Sequence, residues 1–99
     1  MLWRTIIAMK AIPLQRMKRS HHGGIVEVNV WRVAEPVPPC THYCKYRLVY
    51  VVEGRRVIGF DNERGKGDHR HVGDEELPYD FINVEKLLTD FWQAVGDWI

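Results

Sequence analysis

Nothing narrows the fold of this 99-residue chain more than the stretch from Tyr43 to Asp61. Tyr43 to Val52 is dense in β-branched and aromatic residues, which suit a pleated, half-buried surface. Glu53-Gly54 then offers a two-residue turn, and Arg55 to Asp61 returns antiparallel. With Glu53-Gly54 as the loop, Val52 faces Arg55, Tyr50 faces Val57, Leu48 faces Gly59 and Tyr46 faces Asp61. Residues opposed across a ladder share a side. Leu48, Tyr50, Val52 and Val57 therefore share one face, and Val49, Val51, Ile58 and Phe60 the other. Both faces are apolar in this register, so the hairpin is central and needs cover on both sides. A helix can supply one cover. The N-terminal segment, a partner protein or a second copy in a homodimer would supply the other.

The flanking sequence supplies further elements. Lys10 to Lys18 mixes polar and apolar residues around Pro13, which cannot donate to a ladder, and reads as an edge strand. Ser20-His21-His22-Gly23-Gly24 reads as the turn after it, with the two histidines in solvent. Ile25 to Val33 alternates cleanly: Val26, Val28 and Val30 on one side, Glu27, Asn29 and Trp31 on the other. Ala34 to Pro39 holds three prolines and is an irregular connector. Gly73 to Tyr79 reads as an acidic, irregular stretch. Asn83 is a candidate N-cap with Glu85 in the first turn. Val84, Leu87, Leu88, Phe91, Val95 and Trp98 then recur at three- and four-residue steps, the stripe of a helix lying on a sheet. The expected fold is α+β: an antiparallel meander of about four strands with one C-terminal helix on one face. It is a single domain over residues 1–99. Met9-Lys10 reads as a second start, which sets residues 1–8 apart as an N-terminal extension.

Composition mainly excludes. The formal net charge of +1 gives no whole-molecule basic field of the kind that announces nucleic-acid binding. No run is long enough to span a membrane, and the opening residues lack the order of a signal peptide, so a cytoplasmic location is expected. Cys40 and Cys44 are the only cysteines, and reduced thiols are expected there. Cys40, His42, Cys44, His69 and His71 could supply zinc ligands, although their spacing matches no standard knuckle.

Between the hairpin and the helix, Gly59 to His71 reads as a polar loop that buries almost nothing. His69 and His71 lie two apart, so in an extended segment they point the same way and Arg70 points opposite. Two imidazoles can hold one proton acceptor and one donor near neutral pH. Cleavage of RNA through its 2′-hydroxyl needs that pair plus cations on the phosphate, which Arg64, Lys66 and Arg70 could supply. Asp61 or Asn62 would orient a histidine, or serve as a turn former at the strand end. Arg47, Arg55 and Arg56 could widen a basic surface. The same histidines with Asp61 or Asp68 could instead ligate a metal. No Gly-x4-Gly-Lys spacing precedes a helix, and no serine neighbours the histidines, so nucleotide-loop and acyl-transfer chemistry are disfavoured.

Tyr46-Arg47-Leu48-Val49-Tyr50, then Gly59-Phe60-Asp61-Asn62 through His69-Arg70-His71, then Glu85-Lys86-Leu87-Leu88-Thr89-Asp90-Phe91 together resemble the TumE-like toxins of type II toxin–antitoxin pairs. The likeness runs from about Met9 to Trp98, and Phe60 stands where the family commonly has tyrosine. The resemblance implies a growth-inhibiting toxin encoded beside a helix-turn-helix antitoxin that neutralises it. It marks Asp61, Asn62, His69, Arg70 and His71 as the site. The combined expectation is a toxin acting on RNA by metal-free histidine acid–base chemistry, with no cofactor. Two rival readings stand beside it, a non-enzymatic protein- or nucleic-acid-binding module and a metal-dependent phosphodiesterase using Asp61, His69 and His71.

Overall fold

A computed structural model of the chain describes residues 11–99. The expected extension, residues 1–8, and the first residue of the expected edge strand, Lys10, lie outside the described residues. Six strands form one antiparallel sheet in strict chain order: β1 (Ile12–His21), β2 (Gly24–Arg32), β3 (Cys44–Val52), β4 (Arg55–Glu63), β5 (Gly67–Val72) and β6 (Glu75–Pro78). One helix, α1 (Val84–Trp98), follows. The α+β class and the C-terminal helix stand; the strand count is six, not about four.

The two extra strands come from segments that read as loop. β5 and β6 are polar, and their side chains lack the apolar alternation that marks a strand in sequence. They pair because backbone groups at the edge of β4 need partners whatever the side chains are. The β1–β2 turn is also tighter than Ser20 to Gly24. Only His22 and Gly23 lie between the strands, both at positive φ (47° and 79°), as a two-residue hairpin turn with the twist of its flanking strands requires.

The central hairpin carries the main correction. It closes at Glu53-Gly54 with Val52 opposite Arg55 and Val51 opposite Arg56, as expected. A bulge then leaves Val57 without a partner, and Tyr50 pairs with Ile58, not Val57. Leu48 faces Phe60 and Arg47 faces Asp61. One extra residue flips every later side chain to the other face. Here it moves Ile58 and Phe60 to join Leu48 and Tyr50, and all four are at most 1% exposed. Burying an aliphatic or aromatic side chain is worth roughly 1.5–3 kcal/mol, so this register outweighs the unbulged one. With Ile58 and Phe60 gone, the opposite face keeps Val49, which is still buried.

The helix begins at the expected cap: Asn83 Oδ1 accepts from the Lys86 N–H at 2.8 Å. Leu87, Phe91 and Val95 are fully buried against the sheet, packed chiefly on β4. Val84 and Leu88 flank this core, while Trp98 stays 45% exposed. The core unites this stripe with Val26, Val28, Val30, Tyr46, Leu48, Tyr50, Ile58 and Phe60. Among the described residues no element covers the other face. By the strand registers that face presents Glu27, Asn29, Trp31, Arg47, Val49, Asp61, His69, His71 and Glu76. No helix of the described residues is long and apolar enough to cross a membrane.

Candidate functional site

Strand pairing brings the site together. β4 and β5 set Asp61 opposite His69 and Gly59 opposite His71, and β5 and β6 set His71 opposite Glu76. The polar side chains of Asp61, His69, His71 and Glu76 therefore leave the sheet on the face opposite α1. Gly59 has a spatial role here, because a Cβ on it would lie 2.9 Å from Arg56 Cδ. Its absence lets the Arg56 stem lie flat over β4 beside His71.

His69 is 5% exposed and doubly held. Its Nδ1 lies 2.9 Å from the Gly67 carbonyl oxygen, and its Nε2 lies 2.5 Å from Asp61 Oδ1 and 3.6 Å from Glu76 Oε2. A carbonyl oxygen only accepts, so these partners assign the ring proton to Nδ1. A neutral ring then turns a bare Nε2 toward a carboxylate. Two lone pairs cannot meet at that separation, so the contact has to hold a cation, either a proton or a metal ion. The pair also misses hydrogen-bond geometry, and Asp61 Oδ1, shut off from solvent, has no donor among the described residues.

His71 is less buried, its ring 5.0 Å from that of His69 and nearly perpendicular to it. Burial, and then the positive charge of Arg56, hold its pKa below the ordinary imidazole value. Lys66 Nζ lies 3.1 Å from Glu76 Oε2. That contact holds the Glu76 carboxyl below its usual range and raises the Lys66 ammonium above its own. Arg64 sits exposed in the β4–β5 turn.

Two expected site residues point away. Asn62 follows Asp61 on the strand and so projects to the helix side, where it is fully buried. Its Oδ1 accepts from Tyr46 N–H at 2.8 Å and its Nδ2 donates to the Cys44 carbonyl at 2.7 Å. It continues the β3–β4 ladder beyond Arg47–Asp61 and orients no histidine. Arg70 lies on the helix side too, lining a cavity of about 430 Å³ with Tyr79, Asp90 and Trp98. It cannot hold a phosphate against His69 and His71 from there.

Asp68 joins a second cluster that the sequence reading did not assemble. Its Oδ1 accepts from Tyr46 OH at 2.6 Å and lies 2.8 Å from His42 Nε2, while Cys40 Sγ approaches Oδ2 at 3.4 Å. The Cys44 backbone N–H donates to His42 Nδ1 at 3.2 Å, which assigns the His42 proton to Nε2 and directs it at Asp68. Every group in the cluster is satisfied, and it pins the proline-rich connector to the end of the sheet. Burial raises the Cys40 and Cys44 thiols, keeping them protonated and poorly nucleophilic. The zinc set drawn from both cysteines with His69 and His71 is not formed, because those histidines lie on the other face. Glu76 was missed for a simple reason: it stands among like charges in an acidic run, and only the β5–β6 pairing singles it out.

Among the described residues, a six-stranded meander with one helix on one face and an imidazole–carboxylate cluster on the other defines a small α+β protein. The chain belongs to the Toxin TumE family, whose model matches residues 9–99. No curated protein and no solved structure matches it.

Proposed function

We propose that this chain is the toxin of a toxin–antitoxin pair, held in check in the cytoplasm by a helix-turn-helix antitoxin, and that it cleaves RNA at Asp61, His69 and His71. The family supplies the toxin and the antitoxin partner. The observation that carries the chemistry is the convergence of those three side chains on a sheet face that no described element covers.

Transesterification within RNA moves the 2′-hydroxyl proton to a base, forms a bond from that oxygen to phosphorus and releases the 5′-oxygen with a proton. His71 is the imidazole open to a substrate and serves as the base. His69, locked between Gly67 and Asp61, supplies the cationic side of the site, and Lys66 and Arg64 in the adjoining turn attract the phosphate. Arg56 beside His71 takes the place first given to Arg70. The test is to incubate the purified chain with a long unstructured RNA and resolve the products on a gel. Fragments ending in a 2′,3′-cyclic phosphate, absent with Asp61→Asn and with His71→Gln, support the reading. RNA that is bound but left full-length would instead support a non-enzymatic binding module.

A further inference from the structure

We infer that Asp61, His69, His71 and Glu76 bind a divalent first-row metal ion, zinc foremost, on the sheet face opposite α1. One donor atom from each of Asp61, His69 and His71 lies within 4.8 Å of the other two. Glu76 Oε2 stands 3.6 Å from His69 Nε2 and offers a fourth. Zinc bonds to nitrogen and oxygen of about 2.0–2.2 Å set neighbouring donors roughly 3.3 Å apart, so small side-chain shifts close the shell. With the ion in place of the proton that otherwise lies between His69 and Asp61, two neutral imidazoles and two carboxylates carry the charge that balances a dication.

Two features of the His69–Asp61 pair mark it as a place for a cation rather than a chance cluster. His69, more than nine-tenths buried, gives its Nδ1 proton to a backbone carbonyl, the arrangement that fixes a metal-ligating histidine with Nε2 bare. Asp61 Oδ1, closed to solvent and without a hydrogen-bond donor among the described residues, lies against that same nitrogen. The Cys40–His42–Asp68 group makes an instructive contrast. Its donors are equally close, yet His42 already accepts a backbone N–H at Nδ1 and gives its Nε2 proton to Asp68, so it has no lone pair to offer. Proximity selects both clusters; the ring tautomer selects one.

Bound there, the ion would occupy the lone pair by which His71 acts as a base, so polarising a phosphodiester would replace that proton transfer; this use rests on the RNA-cleaving reading, and the binding does not. The test uses the full, tag-free chain stripped with EDTA and titrated with Zn²⁺, then with Mn²⁺, by calorimetry. One saturable equivalent of Zn²⁺ is expected, weakened at least about tenfold by Asp61→Asn and by Glu76→Gln and unchanged by Cys40→Ser. Glu76 is 42% exposed at its side chain, so its variant keeps the question open to test if Asp61→Asn fails to fold. No saturable binding of either ion, or binding indifferent to both variants, overturns the inference. Zinc bound while RNA stays intact would keep the metal site and remove the RNA reading. RNA cleaved by stripped protein that binds neither ion would do the reverse.

Discussion

Replacing Asn62 with alanine separates a structural from a catalytic asparagine. Asn62 is fully buried on the helix side, and its amide does the work of two missing ladder rungs. The alanine variant strands the Tyr46 N–H and the Cys44 carbonyl, both paired at 2.8 Å or less in the native protein. An unsatisfied buried backbone group costs about 1–3 kcal/mol, and the lost side-chain volume adds a small cavity term. The net loss is about 3–5 kcal/mol, a large part of the stability of a domain this size. Urea unfolding followed by circular dichroism measures it as a fall in midpoint at unchanged slope. A variant as stable as the native chain yet without toxicity would refute the reasoning and return Asn62 to the site.

Three further outcomes follow from local geometry. Asn83→Ala removes the acceptor for Lys86 N–H and should lower stability by about 1 kcal/mol, read in the same unfolding assay. Asp90 has its pKa lowered, first by the hydrogen bond from Tyr79 OH and then by Lys86. The unfolded chain thus takes up that proton more readily than the folded one, so the contact stabilises fully above the unfolded value of about 3.9 and is lost as pH falls below it. Tyr79→Phe should therefore flatten the acid limb of a stability–pH curve, and an unchanged limb would remove this contact from the account. Leu87→Ala opens a cavity where the helix meets the sheet and should cost about 2–5 kcal/mol by the same urea measurement.

Much of the fold was readable because its signals are local. The β-branched run of β3, the Glu53-Gly54 turn, the Asn83 cap and the Leu87–Phe91–Val95 stripe each state their structure within a few residues. The bulge at Val57 was not readable. Its cause lies in the shared core that Leu48, Tyr50, Ile58 and Phe60 build with the helix, and the straight register is equally good locally. β5 and β6 escaped notice because they are held by backbone pairing and present mixed, polar faces. In the site, the two-residue spacing of His69 and His71 placed both on one side, and the same alternation sends Asn62 and Arg70 to the other. Applied to Asp61-Asn62, that rule would have separated the pair, had β4 been seen to continue through Glu63. The links from Glu76 and Asp68 depend on cross-strand pairing and could not be read along the chain.

The most direct measurement is growth after induction of the chain without its antitoxin, with soluble protein followed by immunoblot, for the native sequence and for His71→Gln and Asp61→Asn. The account expects arrest with the native chain and normal growth with each variant at equal soluble level. Undiminished arrest by both variants would place the toxic activity elsewhere on the molecule.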